Sequence, residues 1–91
     1  MAKRISILGS TGSIGVQTLD VARNLNIEVL GLTANSNIGL LEKQIAEYKP
    51  EIVAVGNDRL AEELRGRIDS AETKVFSGME GLVRVAVMEA V

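Results

Sequence analysis

The sequence predicts an alternating α/β chain with a single parallel sheet. Short runs rich in β-branched residues alternate with segments of helical length, and polar or glycine-containing turns separate them. One of the short runs, Ile52–Val55, is apolar at every position, which is typical of a strand that is covered on both faces of a parallel sheet. Strands and helices that alternate in this way join through right-handed crossovers. We therefore expect the order β-α-β-α-β-α-β, followed by a further helix or an apolar tail.

The first half of the chain is predicted to hold two strands and two helices. Residues 4–8 are a short β-rich run that ends at Gly9, and residues 14–25 have the length and composition of a helix. A second strand over residues 28–33 leads through the polar turn 34–37 into a helix that Pro50 closes. This helix carries an apolar stripe that we expect to lie in the core: Ile38, Leu41, Ile45 and Tyr48.

The second half repeats the pattern. After the apolar strand and a turn over residues 56–58, a third helix places Leu60, Leu64 and Ile68 on one face. Residues 74–76 are a short fourth strand, and a helix or an apolar tail begins near residue 79. Residues 82–91 are apolar apart from Arg84 and Glu89, which is typical of a segment that further protein covers. We expect one domain over residues 1–91 that is incomplete at its C-terminal end.

Composition excludes several classes of protein. The net charge is −2 and the basic residues form no run, so we expect no nucleic-acid partner. The chain has no cysteine and no histidine, which excludes disulfide bonds, the usual zinc sites and the commonest general base. No apolar stretch is long enough for a signal-peptide core or a membrane span. The expected location is therefore the cytoplasm.

Three glycines mark the turn between the first strand and the first helix. The turn reads Gly-Ser-Thr-Gly-Ser-Ile-Gly over residues 9–15, at the position where dinucleotide-binding folds hold a pyrophosphate. Gly9 would permit the sharp turn off the strand, Gly12 would let the phosphates approach the backbone, and Gly15 would let the helix pack on the sheet. The free N–H groups from Thr11 to Ile14 would then face the anion. A tightly packed turn without a ligand is the alternative interpretation.

The turn after the second strand is expected to select the nucleotide. In NAD-binding proteins a carboxylate about twenty residues beyond the glycines binds the ribose 2′-hydroxyl. This window, residues 33–37, contains no acid. Ser36 and Asn37 can donate hydrogen bonds to a 2′-phosphate, so the window favours NADP over NAD, although a polar turn that only caps the next helix would read the same.

Three stretches together resemble the N-terminal segment of the 1-deoxy-D-xylulose 5-phosphate reductoisomerases: ISILGSTGSIGVQTLDVAR, LTANSNIGLLEKQIAEYKPEIVAV and VFSGMEGL. The resemblance implies a Rossmann-like fold and the NADPH-dependent conversion of 1-deoxy-D-xylulose 5-phosphate into 2-C-methyl-D-erythritol 4-phosphate. This step belongs to the non-mevalonate route to isoprenoids. The family requires Mg²⁺ or Mn²⁺ and works as a homodimer.

Carried over by position, the resemblance places NADPH contacts on two turns. They are Thr11, Gly12, Ser13 and Ile14 in the first turn and Asn35, Ser36 and Asn37 in the second. Many members read Gly-Lys-Asn in the second turn, so the lysine is replaced here by Ser36, and Asn35 would need a left-handed backbone if it kept the geometry of the glycine. The metal-binding carboxylates, the ligands of the substrate phosphate and the catalytic lid match nothing in residues 1–91. The resemblance therefore implies a chain that binds the cofactor without catalysing the reaction.

Two other classes of protein share the glycine spacing. Aspartate-semialdehyde dehydrogenases and extended short-chain dehydrogenases would show a catalytic cysteine or a Tyr-x-x-x-Lys pair. This chain has no cysteine, and its only tyrosine, Tyr48, is followed four residues later by Ile52. A free-standing nucleotide-binding module without enzymatic activity is the third interpretation.

Overall fold

The computed structural model of the chain describes residues 4–68 and 72–87, and within them four strands alternate with four helices. The predicted α/β order is confirmed, and the segment near residue 79 belongs to a helix. The elements are β1 (Arg4–Ile7), α1 (Ser13–Asn24), β2 (Glu28–Ala34), α2 (Ile38–Tyr48), β3 (Ile52–Val55), α3 (Asp58–Arg67), β4 (Lys74–Ser77) and α4 (Gly78–Val87).

The four strands form one parallel sheet in the order β1-β2-β3-β4. Ala34 pairs with Val55, and Val55 pairs with Ser77, so the carboxyl ends of the strands meet at one edge of the sheet. The register between β1 and β2 shifts at one point, because Ile5 pairs with Val29 while the next residue, Ser6, pairs with Gly31. Because β1 and β2 are parallel neighbours, the turns that follow them lie side by side at the carboxyl edge.

The main core lies between one face of the sheet and the helices α1, α2 and α3. Leu19, Leu41 and Leu64, one from each helix, are fully or almost fully buried there. Val53 and Val55 of β3 point into this core, whereas Ile52 and Ala54 point to the opposite face, because neighbouring residues of a strand alternate. All four residues are buried, so the prediction that β3 is covered on both faces is confirmed.

The second face of the sheet is covered by α4. Leu82 and Val85 pack there with Phe76 against β3. The helix lies close to β2 because position 31 is a glycine: a Cβ there would lie 2.9 Å from Cγ1 of Val85. Part of the apolar segment that we expected further protein to cover is thus covered by the sheet itself, while Val83 stays exposed and residues 88–91 lie outside the described part.

The ends of the elements differ from the prediction by one residue at most in the first strands. β1 ends at Ile7, and Leu8 is already exposed in the turn, whereas β2 extends to Ala34. The α2 helix ends at Tyr48, and the next residue, Lys49, takes a left-handed conformation just before Pro50, as the proline predicts. No helix in the described part is both long and apolar enough to cross a membrane.

Candidate nucleotide-binding site

The first turn, residues 8–12, connects β1 to α1 at the carboxyl edge of the sheet. Gly9 has φ +75°, a left-handed backbone that favours glycine, so its predicted role in the sharp turn is confirmed. The carbonyl oxygen of Gly9 then accepts the N–H of Gly12 at 3.1 Å, which closes the turn. The expectation that every N–H from Thr11 to Ile14 is free is therefore wrong for Gly12, whose amide is used within the turn. The chain enters α1 directly from this closed turn.

The N-terminus of α1 has no side-chain cap. In α2 and α3 the caps are Asn37 and Asn57, whose side-chain oxygens accept a backbone N–H at 3.2 Å and 3.1 Å. The corresponding residue of α1 is Gly12, which has no side chain to offer. Within residues 4–68 and 72–87, the N–H groups of Ser13 and Ile14 find no acceptor, and both residues are exposed. Free N–H groups and the positive end of the helix dipole together suit an anion.

Gly12 and Gly15 are glycines for different reasons. A Cβ on Gly12 would meet nothing nearer than the carbonyl oxygen of Gly9 at 3.6 Å, an ordinary contact, so the protein itself leaves room there. A Cβ on Gly15 would lie 2.2 Å from that oxygen and 2.6 Å from Cα of Ser10. Gly15 therefore lets α1 pack against the turn, and not chiefly against the sheet as the sequence interpretation had it.

Two buried polar side chains, one from β2 and one from α2, support the first turn. Thr33 of β2 accepts the N–H of Gly9 on its hydroxyl and the N–H of Ser10 on its carbonyl, both at 2.9 Å. Gln44 of α2 makes two hydrogen bonds with Ser10, at 2.7 Å and 2.8 Å. Sequence reasoning missed Thr33 and Gln44 as site residues. The available signal was a polar residue on the apolar face of α2, beside Leu41 and Ile45.

The second turn, residues 35–37, follows β2 and is exposed at all three positions. Asn37 caps α2 through its side-chain oxygen, as the alternative interpretation of a capping turn predicts, and its NH₂ group remains as a donor. Asn35 lies against the turn between β3 and α3, since a Cβ on Gly56 would be 3.1 Å from the side-chain oxygen of Asn35. The non-glycine residues with a positive φ in the described part are Asn26 and Lys49, so Asn35 does not take the left-handed backbone of a glycine.

Neither turn itself carries a titratable side chain, because residues 8–12 and 35–37 contain no acidic or basic residue and no tyrosine. Burial raises the pKa of Tyr48, which lies at the end of α2 remote from the second turn. Arg4, Arg23, Arg65 and Arg67 are engaged in surface ion pairs with acidic side chains. No group of three or more metal-ligating side chains exists among the described residues. The two turns can hold an anion, but their own side chains offer no general acid or base.

The chain is similar to several enzymes over about a quarter of their length. It is 64% identical over 86 residues to the 1-deoxy-D-xylulose 5-phosphate reductoisomerase of Acetivibrio thermocellus, an alignment that covers 94% of this chain and 23% of that enzyme. The enzyme of Ruminiclostridium cellulolyticum is 56% identical over 85 residues, with coverage of 93% and 22%.

Solved structures of the same enzyme share the fold. The reductoisomerase from Zymomonas mobilis in complex with NADPH superposes with a TM-score of 0.90 at 30% identity, over 99% of this chain and 24% of that one. A reductoisomerase in complex with NADPH, fosmidomycin and magnesium gives 0.86 at 32% identity, over 98% and 22%. The family model for 1-deoxy-D-xylulose 5-phosphate reductoisomerase matches residues 5–91. With four parallel strands and alternating helices in the Rossmann-like arrangement of these relatives, the chain belongs to the 1-deoxy-D-xylulose 5-phosphate reductoisomerase family.

Proposed function

We propose that this chain binds NADPH and forms the cofactor-binding part of an enzyme that converts 1-deoxy-D-xylulose 5-phosphate into 2-C-methyl-D-erythritol 4-phosphate. The uncapped N-terminus of α1 above the first turn is the observation that carries the proposal. Family membership and the relatives solved with NADPH support the choice of ligand. The residues proposed to contact NADPH are Gly9, Thr11 and Gly12 in the first turn, Ser13, Ile14 and Gly15 at the start of α1, and Asn35, Ser36 and Asn37 in the second turn.

The first turn would hold the pyrophosphate through main-chain amides. A hydrogen bond to a charged group contributes about 1.5–3 kcal/mol, and the end of a helix adds about 0.3–1 kcal/mol. Several such contacts hold a diphosphate without a lysine. The open space above Gly12 fits this arrangement, because a phosphate can approach the backbone there without meeting a side chain.

The second turn would receive the 2′-phosphate of NADPH. The hydroxyl group of Ser36 and the NH₂ group of Asn37 can donate hydrogen bonds to this phosphate. Residues 33–37 contain no carboxylate that would repel it. The two turns follow adjacent strands, so one extended nucleotide can reach both.

The catalytic reaction itself is proposed for the whole enzyme and not for this chain alone. Bound NADPH supplies the hydride for the reduction. The same proposal includes Mg²⁺ or Mn²⁺, the phosphorylated sugar, the homodimer and the cytoplasmic location. The described residues of this chain contain no group of three or more side chains that could bind the metal ion. We therefore expect the 91-residue chain to bind NADPH without turning over the substrate.

A fluorescence titration with NADPH tests the pyrophosphate site. The unmodified chain should change the emission of the nicotinamide, and Gly12→Val should abolish that change, because its side chain would fill the space of the diphosphate. Gly66→Val is the matched control: a Cβ at this exposed position of α3 meets nothing within 4 Å, so binding should persist. An unaltered titration with Gly12→Val would remove the first turn from the proposal.

Competition between NADPH and NADH tests the second turn. Ser36→Asp places a carboxylate where the 2′-phosphate is proposed to lie, so it should weaken NADPH binding and leave NADH binding nearly unchanged. The ratio of the two dissociation constants is the measurement. A ratio that does not move would place the 2′-phosphate elsewhere.

A further inference from the structure

Three buried polar side chains meet at the first turn, one from the turn itself, one from β2 and one from α2. Ser10, in the turn, is 0% exposed, Thr33 of β2 is 4% exposed, and Gln44 of α2 is 5% exposed. Buried polar groups destabilise a fold unless hydrogen bonds satisfy them, so they specify one arrangement when they are satisfied. Their contacts therefore identify what holds the first turn in place.

Gln44 uses both ends of its amide on one residue. Its Nε2 donates to the carbonyl oxygen of Ser10 at 2.8 Å, and its Oε1 accepts from the Ser10 hydroxyl at 2.7 Å. The opposite orientation of the amide would bring its oxygen against the Ser10 carbonyl oxygen, two acceptors without a proton between them. Both the main chain and the side chain of Ser10 are thus fixed by Gln44.

Thr33 completes the arrangement from the sheet. It accepts the N–H groups of Gly9 and Ser10, both at 2.9 Å, which directs these two amides inward. The amides of Ser13 and Ile14 come later in the chain, belong to exposed residues and have no acceptor in the described part. Because Ser10 is bound on its N–H, hydroxyl and carbonyl groups, the path of the chain into α1 has little freedom.

We propose that Gln44 is a positioning residue for the cofactor: it holds the first turn in the shape that aims the free amides of α1 at the pyrophosphate. Gln44 lies about two helical turns beyond Asn37, so α2 also joins the first turn rigidly to the second. This inference rests on the proposed function, since it names how the same site is shaped. Gln44 does not contact the nucleotide and acts through Ser10.

Binding of NADPH is the first test, measured by calorimetry at a temperature where circular dichroism shows every variant folded. Gln44→Met keeps the size of the side chain but removes both hydrogen bonds, and the dissociation constant should rise about tenfold or more. Gln17→Met makes the same change at an exposed glutamine of α1 and should alter the constant less than about twofold. Equal binding by the unmodified chain and Gln44→Met would overturn the proposal.

Gln44→Glu is the rescue variant, tested with NADP⁺ because NADPH decomposes in acid. A protonated carboxyl group donates to the Ser10 carbonyl and accepts from the Ser10 hydroxyl, as the amide does, whereas an ionised one faces that carbonyl with a negative charge. Burial raises the pKa of the introduced carboxyl group. Affinity should therefore approach that of the unmodified chain in acid and fall as the pH rises. A pH profile parallel to that of the unmodified chain would overturn the proposal.

Hydrogen exchange without nucleotide separates this inference from the proposed function. The amides of Gly9 and Ser10 should exchange about tenfold faster or more in Gln44→Met, while Leu32 and Val53 in the sheet keep their protection. If the unmodified chain bound no NADPH and these two amides still lost protection, the proposed function would fail and the hold of Gln44 on the turn would stand. Unchanged exchange at both amides would overturn that hold.

Discussion

Replacing Gly15 with alanine tests the direct contact between α1 and the first turn. The new Cβ would lie 2.2 Å from the carbonyl oxygen of Gly9 and 2.6 Å from Cα of Ser10. Non-bonded heavy atoms prefer separations of about 3.5–4.0 Å, so the helix or the turn must move by roughly 1 Å. The atoms in contact belong to the backbone and cannot rotate away.

The magnitude follows from two opposing effects. Overpacking a well-packed site costs about 1–3 kcal/mol of the free energy of unfolding. Alanine is a better helix former than glycine and offsets up to about 1 kcal/mol of this. The overlap is with backbone atoms, which places its cost in the upper part of that range, about 2–3 kcal/mol, so we expect a net loss of about 1–2 kcal/mol. For a domain of this size, that corresponds to a drop in Tm of about 4–16 °C.

Thermal unfolding followed by circular dichroism measures this shift. Gly66→Ala is the control, because a Cβ at this exposed position of α3 meets nothing within 4 Å. This variant should keep the Tm or raise it, because replacing glycine with alanine in a helix stabilises the fold by up to about 1 kcal/mol. A Tm for Gly15→Ala at or above that of the unmodified chain would refute the backbone contact between α1 and the turn.

Three further substitutions test the core, a helix cap and a surface network. Leu64→Ala removes a fully buried side chain of α3 and should lower the free energy of unfolding in urea by about 2–5 kcal/mol; a smaller loss would mean that the core closes over the gap. Asn57→Ala should cost about 0.5–2 kcal/mol, and Asn57→Asp should retain most of that stability in the same assay, unless the Asn57 side chain does not cap α3. Arg4→Met breaks two exposed ion pairs with glutamates and should change stability by no more than about 1 kcal/mol in low salt and less in high salt, so a large, salt-independent loss would contradict it.

The elements and the candidate turns could be predicted from the sequence because they depend on local pattern. The glycines at positions 9, 12 and 15 fall between a β-rich run and a helical segment, and the apolar period of α2 indicates which residues are buried. The spacing of apolar residues, however, indicates which side chains are buried and not which residues they contact. Gln44 meets Ser10 across 34 positions of sequence, and no local signal pairs them. The reason for Gly15 was likewise wrong in part, because the atoms that a Cβ would meet lie in the turn.

The position of α4 on the second face of the sheet determines at which edge of the sheet a further strand could be added. The helices α1, α2 and α3 carry the chain in one direction, from β1 to β4, whereas α4 returns from β4 over β3 towards β2. Because connections between parallel strands are right-handed, a strand entered from α4 would join beside β1, an edge strand in the described part of the chain. The chain connections would then lead away from β1 in two opposite directions, and the first turn would lie at the point where they separate. Open sheets bind their ligands in the crevice that such a divergence creates.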